Sequence, residues 1–319
     1  MKKLLILILL LLASTLRAEP AAKSLEQSIE ESIGAQFTGT VLVAKNGTPL
    51  FFKSYGLANR ETNTPNTNET QYNLASVDKA FTQMALYKLR DEGKLKLDAT
   101  LRSVLPDYPS PAAAEQITIQ QLIEHRAGLP NLFNAEFIAS DKTALRNVRD
   151  YLQFFATEPL DYEPGTKQQY SNSAYIVLGL VIEKLSGMPY HEYVRKHVFA
   201  PLGMRNTTPE ACAKCAVATG YRRDGSANTA VIPPRGSSAG GGWSTAGDLL
   251  RFAEALRKTK GSGAIAGGFP GIANMIYFED DFTFVILGNY DPPMTQRVAE
   301  RLMKLLGMTG ELNRLNIIG

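Results

Sequence analysis

The sequence predicts an α+β protein: an antiparallel sheet drawn from both chain ends and flanked by helices, with a mostly helical middle lobe. Three observations carry this. Residues 40–44 and 50–52 are apolar runs separated by Asn46-Gly47, a hairpin signal near the start. Residues 272–278 and 282–287 flank Glu279-Asp280-Asp281 as a second hairpin near the end. Between the two hairpins, apolar residues recur at helical spacing. The chain therefore divides into a short apolar leader over 1–18 and one domain over 19–319. Residues 19–75 plus 236–319 form the α/β lobe of that domain, and 76–235 form its helical lobe.

The elements run in order along the chain. The first hairpin spans 39–55, with Lys45 and Thr48-Pro49 lengthening its turn. Residues 59–70, rich in Asn, Thr and Pro, are loop. A helix starts near Ser76, where Phe81, Met84, Ala85 and Leu89 share a face and Gly93 stands at the C-terminal cap. Thr118-Ile119-Gln120-Gln121 has the capping-box form, ahead of a short helix ending near Gly128. Further helices fit 143–155, 173–185 and 190–199. The glycine- and serine-rich stretch 236–242 reads as a flexible join, after which Thr245 to Asp248 cap a helix running to about residue 258. A helix over 296–306 closes the chain.

Composition excludes several classes. With 44% apolar and 20% charged residues, the chain has a folded protein's balance, not that of a disordered, collagen-like or polytopic membrane protein. The net charge of +3 rests on Lys2, Lys3 and Arg17; the remainder is neutral and carries no electrostatic footprint for nucleic acid. Those three residues flank an apolar run over 4–13, with Ala18 as the small residue before cleavage. This is the layout of a secretory signal peptide, and the run is too short to span a bilayer. The mature chain is expected to be periplasmic or secreted, without stable membrane insertion. Cys212 and Cys215 are the only cysteines, and a local disulfide, a redox pair and half a metal site compete for them. No strand leads into the pair and no further ligands lie close in sequence, which favours the disulfide.

The chemistry narrows by exclusion. Gly236-Ser237-Ser238-Ala239-Gly240 matches a nucleophile elbow, but that motif needs a histidine after the serine. His125, His191 and His197 all precede Ser238. His191-Glu192 lacks the second histidine of a zinc motif, so His191 and His197 read as helix-surface residues. What remains is Ser76-Val77-Asp78-Lys79. Residues three apart share a helix face, which sets the Lys79 amine beside the Ser76 hydroxyl. The helix start adds N–H groups and partial positive charge where an oxyanion would form. Serine needs a base, and a desolvated or cation-flanked Lys or Tyr can be tuned to that role. The competing reading makes Ser76 an ordinary helix cap.

A second piece, Tyr170-Ser171-Asn172, comes after the turn Glu163-Pro164-Gly165-Thr166. Together with residues 73–82, 91–98, 122–130 and 240–249, it gives a sequence that resembles the serine β-lactamase and penicillin-binding-protein superfamily. The likeness is to the class C β-lactamase, D,D-peptidase and esterase branch, and runs from about residue 38 to 289. The resemblance implies that Ser76 is the acylated nucleophile and Lys79 its proton-transfer partner. Tyr170 would be general base and leaving-group acid, its phenol pKa lowered by neighbouring cations. Asn172 would orient Lys79 and the substrate, and Gly267 and Gly268 would lie on the strand lining the site. No metal or organic cofactor is implied, and the partner would be a small ester or amide, or a cell-wall peptide.

The third motif departs from the family. The usual Lys- or His-x-Gly is here Ile265-Ala266-Gly267, followed by Gly268-Phe269-Pro270-Gly271. Lys258-Thr259-Lys260-Gly261 sits at a helix end, where basic residues suit the macrodipole. The stretch before Ile265 is shorter than in relatives, so part of the cleft wall is expected to be missing. Ile265 cannot hold a substrate carboxylate, which favours simple esters over β-lactams and D-Ala-D-Ala peptides. The first reading is thus an exported acyl-serine hydrolase of esterase type. The second is a catalytically impaired relative that binds a cell-wall peptide or a partner.

Overall fold

Alternation along the strands decides the layers of the fold. The computed structural model describes residues 23–34, 36–229, 232–308 and 317–318; the expected signal peptide lies outside the described residues. The main sheet contains β1 (Gly39–Lys45), β2 (Thr48–Tyr55), β3 (Gly263–Phe269), β4 (Ile272–Glu279), β5 (Phe282–Gly288) and β6 (Ile317–Ile318). Their order is β6-β3-β4-β5-β1-β2, antiparallel except where β6 joins β3. Pairing of β1 with β5, with Leu42 opposite Val285, sews the N-terminal hairpin to the C-terminal one. The sheet does come from both chain ends.

The longest helices among the described residues are α1 (Leu25–Ile33), α2 (Asp78–Asp91), α3 (Asn172–Ser186), α4 (Ala246–Lys260) and α5 (Met294–Leu305). Val41, Val43, Met275, Tyr277 and Phe284 point to one face of the sheet, against Ile29 of α1 and Leu302 of α5. Leu42, Ala44, Ile276, Phe278 and Val285 point to the other, against α4 and the helical middle. A one-residue slip would exchange these sets, so burial of both faces fixes the register. Phe81 of α2 meets Phe252 of α4 edge-on, with ring centroids 4.7 Å apart. In α3 every residue from Ser173 to Ile182 is buried, the mark of a helix surrounded on all sides.

Several elements differ from the sequence expectation. Ser76 occupies a 3-10 turn, Ala75–Val77, ahead of α2 proper. The helix expected over 143–155 is two 3-10 segments, Lys142–Ala144 and Val148–Phe154. Here Asp141 accepts from the Thr143 N–H and Asp150 from those of Arg146 and Asn147, side-chain bonds that compete with the α-helical ladder. The helix over 190–199 is Tyr190–Val194 continued by a π-type turn, Arg195–Phe199. Helix α1 is absent from the sequence expectation, although its capping box, Ser24 with Gln27, is a readable signal. Between α4 and β3 the chain needs only Gly261 and Ser262. Cys212 and Cys215 form the disulfide, with Cα atoms 5.3 Å apart. Among the described residues, no helix is long and apolar enough to cross a membrane, and no side-chain cluster could hold a metal ion.

Candidate active site

The site forms where β3 meets the chain entering α2. Tyr72–Asn73 pairs with Trp243–Ser244, and the Leu74 N–H donates to the Gly242 carbonyl at 2.7 Å. Ala75 then turns the chain at φ +46°, supported by its N–H donating to Asn73 Oδ1 at 3.0 Å. Ser76 comes next, presented at the mouth of a cavity.

Lys79, three residues on, is wholly buried beneath Ser76. Its Nζ lies 3.2 Å from Ser76 Oγ and 2.7 Å from Asn172 Oδ1, and it also donates to the Ala239 carbonyl. Tyr170 arrives from just before α3, with its hydroxyl 2.6 Å from Ser76 Oγ. Ser171 caps α3 by accepting from the Ala174 N–H at 3.1 Å, which sets Asn172 at the first helical position facing Lys79. Ser76, Lys79, Tyr170 and Asn172, read from two separate motifs, thus converge.

The electrostatics correct one expectation. Burial disfavours the Lys79 ammonium and lowers its pKa to about 7, against the pull of the neighbouring Asp78 carboxylate. Asp78 is itself buried and pushed up to about 7, although it accepts the Gly242 N–H at 2.6 Å. The Tyr170 phenol, expected to fall under nearby positive charge, rises instead to about 12. Burial of its hydroxyl side raises it, against the lowering effect of its Ser76 bond, while 46% of the residue stays exposed. Desolvation of the phenol outweighs any pull toward the phenolate. The group tuned toward neutral pH is the amine.

His125 is a contributor that the sequence reading leaves without a role. It sits at φ +58°, its Nδ1 accepts the Ser171 N–H at 3.0 Å, and its ring lies 4.7 Å from that of Tyr170. Burial, aided by Lys79, lowers its pKa to about 4, so it remains the neutral acceptor this bond requires. The only sequence signal is its place in the Leu122-to-Pro130 landmark. His191 and His197 lie on the helical turns Tyr190–Val194 and Arg195–Phe199, both half-buried, and His197 stacks on Tyr193 at 4.4 Å.

The stretch 236–242 is no flexible join. The Gly241 N–H donates to the Ala75 carbonyl at 3.1 Å, Gly242 bonds Asp78, and Thr82 Oγ1 donates to the Ser238 carbonyl at 2.8 Å. An added Cβ at Gly242 would stand 2.7 Å from Asp78 Oδ2, so glycine lets the loop close on α2. This loop is the back wall of the site. Ser238 is fully buried in it, its hydroxyl without a partner among the described residues, which agrees with its exclusion as nucleophile.

On β3, an added Cβ at Gly267 would lie 2.4 Å from the Leu74 carbonyl oxygen; the missing side chain lets the strand press against the nucleophile turn. Gly268 is exposed to the cavity, placing its backbone opposite Ser76. Ile265 is completely buried opposite Ile276 and does not line the cavity, so it is a core residue, not a defective cleft residue. Arg235 is the only formally charged side chain in the lining among the described residues, and it lies 3.8 Å from Glu210.

A family model described as Beta-lactamase matches residues 23–270. Penicillin-binding protein 4* of Bacillus subtilis (strain 168) is 31% identical over 218 residues, covering 65% of this chain; the chain spans 47% of that protein's length. A penicillin binding protein from Bacillus halodurans superposes with a TM-score of 0.77 at 26% identity, covering 89% of this chain and all of the other. EstCE1, described as a hydrolase with promiscuous acyltransferase activity, superposes at 0.71 with 22% identity, covering 88% and 99%, a likeness of fold alone.

Proposed function

This chain belongs to the beta-lactamase family, and from that premise we propose that it hydrolyses an ester or amide through an acyl-enzyme on Ser76, with simple esters favoured. The observation that carries the reading is Lys79 Nζ, with a pKa near 7, 3.2 Å from the Ser76 hydroxyl. As a neutral amine, Lys79 donates two N–H groups, to Asn172 Oδ1 and the Ala239 carbonyl, and keeps its lone pair for the Ser76 proton.

Ser76 Oγ attacks the carbonyl carbon while its proton passes to Lys79. Ser76 and Gly268 both line the cavity, and their backbone N–H groups would stabilise the oxyanion, a contribution that needs no third-motif side chain. Tyr170, with its raised pKa, is a protonated phenol at neutral pH and gives its proton to the leaving oxygen or nitrogen. The Lys79 proton restores the phenol. Water then attacks the acyl-enzyme, its proton returning through the same groups, and Ser76 is regenerated.

The strand lining the site supports the substrate preference, since β3 itself carries no cation for a carboxylate. Export is part of the proposal as well: the leader pattern over 1–18 and the Cys212–Cys215 disulfide both suit a periplasmic or secreted protein. Intact-mass analysis after exposure to a fluorophosphonate, and separately to a penicillin, tests the reading. One adduct with the fluorophosphonate, lost in Ser76→Ala, and slow or no acylation by the penicillin are expected. An adduct that survives Ser76→Ala refutes the nucleophile, and no adduct at all leaves the partner-binding reading in its place.

A further inference from the structure

The cavity lined by Ser76, Tyr170 and Asn172 is also lined by an apolar set, Leu132, Phe133, Phe137, Tyr151 and Phe269, with Arg235 as its charged member. Phe133 and Phe269 come from different parts of the chain, a loop of the helical lobe and the end of β3, and their rings neighbour each other with centroids 6.0 Å apart. Phe137 backs Phe133 edge-on at 5.1 Å and is braced in turn by Phe154 at 5.4 Å. These contacts fix the wall before any ligand arrives.

Phe133 nevertheless keeps 38% of its surface exposed, one of few large apolar side chains in the described structure to do so. An apolar ring held open to solvent beside a nucleophile gains by being covered. The space available sets what can cover it. The cavity measures about 140 Å³, while an apolar cavity of about 150 Å³ lined by similar side chains takes one benzene ring. The match is to one ring seated on the wall, with the remainder of the ligand leaving through the open side of the cleft.

We propose that this wall is the recognition site for a single phenyl-sized apolar group carried next to the scissile bond, so that the preferred substrates are aryl-bearing esters or amides. The proposal rests on the acyl-serine reading for its chemistry, and on the aromatic wall alone for its specificity. Recognition is by edge-to-face contact with Phe133 and Phe269 and by displacement of water from the cavity.

The test compares ethyl acetate with methyl phenylacetate and benzyl acetate, following acid release. These place the ring on the acyl side and the alcohol side respectively. At least one aryl ester is expected to exceed ethyl acetate in kcat/KM by roughly 10–200-fold, the range for apolar complementarity in a pocket. That ratio is expected to fall at least several-fold in Phe133→Ala and in Phe269→Ala. A second arm titrates phenylacetamide into the Ser76→Ala protein by calorimetry, and the binding is expected to weaken when Phe133→Ala is added. Both aryl esters matching ethyl acetate, ratios unmoved by both variants, or phenylacetamide binding indifferent to Phe133 would each overturn the proposal. Phe133-dependent binding by a protein that hydrolyses no ester and takes no fluorophosphonate supports the ring site and refutes the hydrolytic reading alone.

Discussion

In the proposed reaction, the burial of Lys79 sets the pH dependence of acylation. An exposed lysine with a pKa of 10.5 is neutral in only about 3 molecules in 10⁴ at pH 7. With its pKa at about 7, half of the Lys79 amines are neutral at that pH, roughly a 10³-fold gain in competent base. The sign is set by which form works. The neutral amine accepts the Ser76 proton, so acylation rises with pH, from about one tenth of its plateau at pH 6 to about nine tenths at pH 8. The assay is acetylation by p-nitrophenyl acetate from pH 5 to 9, with Ser76→Ala subtracted as background. The perturbation is Asp78→Asn, which keeps an oxygen to accept the Gly242 N–H while removing the carboxylate that raises the Lys79 pKa. The midpoint should move to lower pH. A profile flat through pH 7, one that falls as pH rises, or a midpoint driven upward by Asp78→Asn would refute Lys79 as the base.

Three further outcomes are expected. Tyr170→Phe removes a hydroxyl 2.6 Å from Ser76 Oγ and should lower kcat by about 10²–10⁴-fold with circular dichroism unchanged; wild-type turnover would leave Tyr170 a packing residue. Gly267→Ala places a methyl 2.4 Å from the Leu74 carbonyl and should cost about 1–3 kcal/mol of stability in denaturant titration as well as turnover, because β3 must back away from Ser76. Ile265→Lys, which would restore the family's cation if this position faced the cleft, puts an ammonium into a fully buried site. Its stability in denaturant titration should fall by about 3–5 kcal/mol, and a stable variant with faster penicillin acylation would contradict the core assignment.

What the sequence determined by itself was whatever local periodicity encodes. Apolar runs set about turn residues in 39–55 and 272–287 named the hairpins, and the capping residues Thr118 and Thr245 named helix starts that the structure keeps. The three-residue spacing of Ser76 and Lys79 suggested their pairing, because residues three apart share a helix face, and the resemblance to the β-lactamase and penicillin-binding-protein superfamily supplied the roles of Tyr170 and Asn172. Tertiary structure alone decided the rest. Lys79 and Tyr170 shift in the directions they do because of what is packed over them, and the dielectric at a side chain is a property of the whole fold. The loop 236–242 looks mobile as a string of glycines, yet those glycines let it bond Ala75 and Asp78 at close range. Ile265 reads as a lost cleft residue until strand pairing shows it turned into the core. His125 and the wall of Phe133, Tyr151 and Phe269 come from segments far apart in the chain. No pattern in sequence links them, because their adjacency exists only once the helical lobe has closed on the sheet.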